Sequence, residues 1–176
     1  MSSAPRPPAP FAGTRPSPGQ AAVPASARSP LLPRRNLPLL LLQAREAVLA
    51  RFRPILQANG LTEQQWRILR ALLEAGALEP HQIGRLCGLS SPSLAGILAR
   101  MEALDLVHRE RLEADQRRVR VTPSARSRRL ARRMAPQIEA GYQALEAELG
   151  TAFVAELLAT LDAVVLRLGP AAAPPE

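Results

Sequence analysis

Lysine is missing from this 176-residue chain: all 23 basic residues are arginine, set against 15 acids and 2 histidines, for a formal net charge of +8. An all-arginine surface favours planar, bidentate contacts with phosphates, carboxylates or base edges, so an anionic partner is expected. A single cysteine, Cys87, rules out an internal disulfide and with it a secreted disulfide scaffold. Aromatic residues are only 3% of the chain, so a core must be built from Leu, Ala, Ile and Val, which points to helices. The longest strongly apolar run, near residues 37–42, falls far short of the roughly 20 residues that span a bilayer. Two histidines 27 positions apart give no zinc-ligand spacing. No glycine-rich phosphate loop, serine elbow or specifically placed carboxylate pair is present, so an enzyme is not expected, nor any cofactor.

What the chain does have is unevenly distributed. Residues 1–36 carry 5 Arg, no acid and nine of the 18 prolines, without a hydrophobic period, and are expected to form a disordered Pro- and Arg-rich tail. Prolines this dense also argue against the amphipathic helix of an organellar transit peptide. Residues 105–133 hold 10 Arg against 4 acids, whereas residues 134–176 hold 1 Arg against 6 acids. That asymmetry predicts one surface facing a polyanion and another serving self-association.

From Leu37 the pattern is helical. Leu41, Ala44, Val48, Phe52, Ile55 and Leu56 recur at spacings of three and four, with Pro54 as a kink or local break, up to Asn59-Gly60. Thr62-Glu63-Gln64-Gln65 has the form of a capping box and opens a second helix with Trp66, Leu69, Leu72 and Leu73 inward. Glu79-Pro80 starts a short third helix, with Ile83, Leu86 and Cys87 expected inside, and Gly88 turns the chain. Ser91-Pro92 is a restart signal for a helix whose inner face is expected to be Leu94, Ile97, Leu98, Met101 and Leu104. Its outer side offers Ser90, Ser91, Ser93, Gly96 and Arg100, small or hydrogen-bonding groups able to approach DNA closely. Together these two helices read as a helix-turn-helix.

Residues 107–111 and 118–122 alternate as strands do, with Val119 and Val121 inward and Arg118 and Arg120 outward. The stretch between them, 112–117, lacks the small residues of a tight turn and is expected to project as a loop, making the hairpin a wing. Thr122-Pro123 is expected to cap a long helix that opens with Arg126, Arg128, Arg129, Arg132 and Arg133 and continues with Ile138, Tyr142, Leu145 and Leu149. Gly150 ends it, and Thr151 caps a last helix whose stripe from Phe153 to Leu168 is too broad for a lone helix in water. Pairing the first and last helices with those of a second copy would bury both in a two-fold interface.

Residues 37–168 resemble the MarR family of winged helix-turn-helix regulators. The strongest marker is Asp115-Gln116-Arg117-Arg118-Val119-Arg120-Val121-Thr122, similar to the family's wing signature of Asp, one residue, Arg, then a strand ending in Thr. In that signature the carboxylate can orient the Arg fork for the narrow minor groove. Leu42-Gln43-Ala44-Arg45-Glu46, Phe52-Arg53-Pro54 and the segment from Gly60 to Arg67 resemble a narrower group, the regulators of homoprotocatechuate and hydroxynicotinate breakdown. The resemblance implies a cytoplasmic homodimeric repressor on palindromic double-stranded DNA, released by a small aromatic carboxylic acid. The DNA contacts expected on this basis are Ser90, Ser91, Ser93, Gly96, Arg100, Asp115, Arg117 and Arg118.

Ligand contact is assigned to Arg45, Arg53, Trp66 and His81, each with a plainer reading beside it. Arg45 and Arg53 either hold a ligand carboxylate or pair with an acid such as Glu46; Trp66 is core or pocket wall; His81 is a surface residue or a ring-substituent partner. The arginines from 126 to 133 serve solubility or phosphate contact, and Cys87 is read as a buried small hydrophobe rather than a redox sensor. The expected organisation is a mainly α fold with a small β-hairpin wing: a tail (1–36), a dimerisation helix (37–60), a winged helix-turn-helix (61–125), dimerisation helices (126–168) and a second tail (169–176). An architectural DNA-binding protein without inducer, and a protein-interaction module on the same fold, are the alternatives.

Overall fold

The structure is a computed structural model describing residues 34–112 and 115–169, and for residues 112 and 115–117 the backbone alone. The expected disordered tails lie outside the described residues except for 34–36 and 169. Among the described residues the order is α1 (Leu37–Ala58), α2 (Glu63–Ala75), α3 (Pro80–Cys87), α4 (Ser91–Ala103), β1 (Val107–Leu112), β2 (Asp115–Pro123), α5 (Ala125–Leu149) and α6 (Thr151–Leu168). This is the mainly helical architecture with one hairpin that the sequence predicts. No single helix among the described residues is long and apolar enough to cross a membrane.

The chain divides between Leu42 and Gln43 into two units, the first described only at the start of α1. There Asn36 Oδ1 accepts from the Leu39 amide at 3.0 Å, satisfying one of the helix's free donors. From Gln43 onward a single apolar core joins Phe52, Ile55 and Leu56 of α1 to Ile68, Leu69 and Leu72 of α2, Ile83 and Cys87 of α3, and Met134 and Ile138 of α5. Leu94, Ile97, Leu98 and Met101 of α4 and Val107 and Val121 of the hairpin complete it. Helix α1 runs through Pro54 without a break, because the lost backbone bond is offset by burial of Phe52, Ile55 and Leu56 on either side. The earlier positions of the expected stripe, Leu41 and Ala44, are exposed.

Several local expectations are corrected. Leu86 is 64% exposed: α3 buries Ile83, Gly84 and Cys87, and a residue three beyond Ile83 and one before Cys87 falls past the edge of that two-turn face. Leu104 is also exposed, because α4 ends at Ala103 in a left-handed turn at Asp105 (φ 53°). The Asp105 amide donates to the Glu102 carbonyl at 2.9 Å and the Leu106 amide to the Met101 carbonyl at 2.8 Å, the paired bonds of a Schellman ending. Leu106 takes the buried place instead. The cap of α4 is Ser90 rather than Ser91, and α5 is capped by Ser124, since Thr122 and Pro123 remain in β2. Ser124 Oγ accepts from the Ser127 amide at 3.0 Å and donates to the Asp105 carbonyl at 2.7 Å. Gly150, not Thr151, caps α6.

The hairpin is longer than expected. β1 reaches Leu112 and β2 starts at Asp115, so most of the predicted loop 112–117 is strand. The antiparallel register runs from Val107↔Pro123 to Arg111↔Val119 and then shifts to Leu112↔Asp115. That irregularity places the surplus residues on one strand, β2. Val121 is fully buried, Val119 half-buried, and Arg118 and Arg120 exposed, as the alternation predicts. Leu78, in the link from α2 to α3, adds a bridge to Val121 on the hairpin's other edge.

Helix α6 meets α5 at a bend of 106°. Of its apolar stripe only Val154 is buried, while Phe153, Leu157, Leu158, Leu161, Val164, Val165 and Leu168 are exposed.

Candidate nucleic-acid interface and effector site

Helix α4 buries Leu94, Ile97, Leu98 and Met101 and turns Ser91, Ser93 and Arg100 outward, with Gly96 half-exposed. Ser90 Oγ and Ser93 Oγ are 3.1 Å apart across the first turn. The Arg100 guanidinium folds back along the helix, its Nη1 3.5 Å from where a Cβ on Gly96 would stand. The exposed face is otherwise made of small residues, Ser91, Pro92, Ser93, Ala95 and Ala99, with Arg100 as its one long cation. Five expected DNA contacts, Ser90, Ser91, Ser93, Gly96 and Arg100, thus share this one helix and its cap.

Beside it stands the hairpin. Asp115 and Arg117 belong to the β2 backbone, and the expected orienting pair between their side chains lies outside the described residues. Arg118 is placed by Glu79, whose Oε2 accepts from its Nε at 3.3 Å and whose Oε1 accepts from its Nη2. This partner holds the Glu79 carboxyl below the usual carboxylate range. Arg109 of β1 is likewise engaged by Glu102 of α4, with Nε 2.8 Å from Oε2. Neither acid was singled out in the sequence as a partner, because Glu79 was read only as the residue before a helix-starting proline.

On α1 and α2, Arg45, Glu46, Arg53 and Glu63 form one alternating network. Arg45 Nη1 bonds Glu46 at 2.5 Å and its Nη2 lies 3.7 Å from Glu63, while Arg53 bonds both Glu46 and Glu63. The hydrogen bond from Arg53, ahead of the nearby charges, holds Glu46 below its ordinary carboxylate range. Helical geometry explains the assembly: Glu46 and Arg53 are two turns apart on one face of α1, and the Thr62 capping box presents Glu63 from the first turn of α2. Trp66, also in that first turn, is half-buried against the core.

His81 is elsewhere. Its Nδ1 lies 3.7 Å from Glu79 Oε2, and it lines a cavity of about 560 Å3 between α3, α4 and the hairpin with Pro80, Arg85, Leu94, Arg109 and Val119. The walls of that cavity include none of Arg45, Arg53 and Trp66. Cys87 is buried, and desolvation pushes its thiol pKa up against a smaller opposing effect of Arg67. Arg67 Nη1 instead donates to the Cys87 carbonyl at 2.6 Å, tying α2 to the end of α3. Among the described residues no cluster of three His, Cys, Asp or Glu is placed to hold a metal ion.

Residues 59–118 match the MarR family model. The homoprotocatechuate degradative operon repressor of Escherichia coli is 42% identical over 113 residues, covering 64% of this chain and 76% of that repressor. The chain belongs to the MarR family. A transcriptional regulator of known crystal structure aligns over 74% of this chain and 96% of its own, at 39% identity and a TM-score of 0.73. NadR in complex with 4-hydroxyphenylacetate aligns over 77% of this chain and 93% of its own, at 36% identity and a TM-score of 0.66. As a MarR-type repressor the protein is a DNA-binding transcriptional regulator and not an enzyme, with α3 and α4 as its helix-turn-helix and β1–β2 as its wing.

Proposed function

We propose that this MarR family member is a cytoplasmic homodimer that occupies a palindromic operator and releases it on binding a small aromatic carboxylic acid of the hydroxylated phenylacetate, benzoate or nicotinate type. The observation that carries the effector reading is the network on α1 and α2, where two arginines already hold carboxylates. Arg45 and Arg53 accept the effector carboxylate in exchange for Glu63 or Glu46, and Trp66 covers the ring. His81 reaches a ring substituent only if the second protomer or a shift of α3 brings it there. Binding of 4-hydroxyphenylacetate by NadR supports this ligand class.

Ser90, Ser91, Ser93, Gly96 and Arg100 face the major groove, and Asp115 and Arg117 carry the wing to the minor groove. The arginines of α5 from 126 to 133 are exposed and flank this surface in sequence. The apolar stripe of α6 and the exposed leucines at the start of α1 are covered by the second copy. For release, the effector must bind the DNA-incompetent dimer better, about tenfold for each 1.4 kcal/mol of shift.

The test is titration of the protein–operator complex with hydroxyphenylacetates, hydroxybenzoates and hydroxynicotinates. One compound is expected to release the wild type, and Arg45→Ala and Arg53→Ala are expected to need at least about tenfold more of it, the weight of one lost charge-assisted bond. Equal release of wild type and both variants would remove the network as the site. For the dimer, Leu161→Arg is expected to give monomers by light scattering, because it buries an unpaired charge; an unchanged dimer would place the interface elsewhere.

A further inference from the structure

The wing is joined to the helical body at two levels, the lower of which also carries the Arg109–Glu102 contact between β1 and α4. At the lower level Leu78 and Val121 exchange backbone bonds, Leu78 N to Val121 O at 3.1 Å and Val121 N to Leu78 O at 2.8 Å. Three residues nearer the tip, about 10 Å along the strand, Arg118 reaches the carboxylate of Glu79, the residue that follows Leu78. Glu79 is well anchored. It sits in the extended N-cap conformation of α3, its amide donates to Gln82 Oε1 at 2.8 Å, and its side chain is largely covered while that of Arg118 is exposed.

A two-stranded ribbon held only near its base can still twist toward its tip. A second attachment through a two-point arginine–carboxylate contact fixes direction as well as distance. We propose that Glu79 and Arg118 form a strut that sets the angle of the wing against the recognition helix α4, making both of them positioning residues for operator recognition. This assigns Arg118 to alignment rather than to the DNA contact expected from sequence, and it rests on the operator reading above. In the rival arrangement, Arg118 leaves Glu79 to bind a phosphate, and the acid is its competitor.

The two arrangements differ in sign. Glu79→Gln, Arg118→Gln and the double variant, which has the wild-type net charge, are compared on an operator fragment and on unrelated duplex over a range of salt. For a strut, each single variant loses on the order of tenfold in operator affinity, as expected for a single charge-assisted contact. The double variant is then no worse than either, its affinity for unrelated duplex matches wild type, and the salt slope on operator is unchanged. Tighter operator binding by Glu79→Gln, together with a slope lower by about 0.9 in Arg118→Gln, the signature of one lost phosphate contact, would overturn the strut. So would a double variant that binds operator like wild type.

Hydrogen exchange of the free protein separates this failure from failure of the operator reading. Amides of β1 and β2 beyond Val121 are expected to exchange faster in both single variants, with the Val121 amide itself still protected. Unchanged exchange would overturn the strut even if operator binding is established, and faster exchange would support it even if no operator is found.

Discussion

The Phe52 ring of α1 lies against Gly141 of α5, so closely that a Cβ on the glycine would stand 2.9 Å from the ring's Cε1. Phe52 is buried and also meets Tyr142, with ring centroids 4.9 Å apart and tilted by 52°. Gly141→Ala gains up to about 1 kcal/mol of helix propensity but overpacks this contact, at about 1–3 kcal/mol. The expected result is a net destabilisation of about 1 kcal/mol and a melting point lower by a few degrees. A raised melting point would show that the ring moves aside without loss.

Gly96 predicts the reverse balance. A Cβ there meets only Arg100 Nη1, at an ordinary 3.5 Å, so Gly96→Ala is expected to raise stability by up to about 1 kcal/mol. In the proposed DNA complex the added methyl stands on the face turned to the bases, and operator affinity is expected to fall. Melting and gel-shift titration of the same variant read the two effects separately; unchanged DNA affinity would mean that the helix does not approach at Gly96.

Cys87 is expected to be inert. It is buried in the core and its pKa is raised by desolvation, so little thiolate forms at neutral pH. A maleimide should label the native protein slowly and the denatured protein at once, and peroxide should leave the operator complex intact. Rapid native labelling would require α3 to open.

Acid should loosen three arginine-linked joints together. Glu46, Glu79 and Glu102 are each held below the ordinary carboxylate range by hydrogen bonds from Arg53, Arg118 and Arg109 respectively. A carboxylate whose folded pKa is depressed contributes its stability in full above its unfolded pKa, and loses it as pH falls through the folded one. Denaturant midpoints are therefore expected to be flat with respect to these three groups from pH 6 to 8 and to fall below the ordinary carboxylate range. Glu102→Gln should show a shallower acid fall than wild type, and an identical pH profile would mean that its pair with Arg109 contributes nothing.

The buried side of α3, α4 and β2 was legible because it follows from period alone: Ile83 and Cys87, Leu94 to Met101, and Val121 lie where spacing put them, whereas the stripes at the start of α1, at Tyr142 and Leu149 of α5 and along α6 are exposed. Errors gathered at element ends, where period stops informing. Leu86 and Leu104 were counted inside by extending a three-residue step past the end of the packed face, and Ser91 and Thr122 were taken as caps one or two residues away from Ser90 and Ser124. A hydroxyl next to a proline marks the neighbourhood of a helix start, but the turn geometry decides which residue caps it. The charged joints were the least legible. Arg53 with Glu63 spans two helices and Arg118 with Glu79 spans 39 positions, so no local spacing announces either pair. The separation of His81 from Arg45 likewise depends on how α3 stacks, which the pattern of one helix does not encode.

Ser124 joins two structural tasks in a single hydroxyl: it caps the start of α5, and it ties that start to the Asp105 carbonyl just beyond the end of α4. The end of α4 and the start of α5 therefore share one buried joint. Any displacement of the start of α5 is passed directly to the end of α4 instead of being taken up between them.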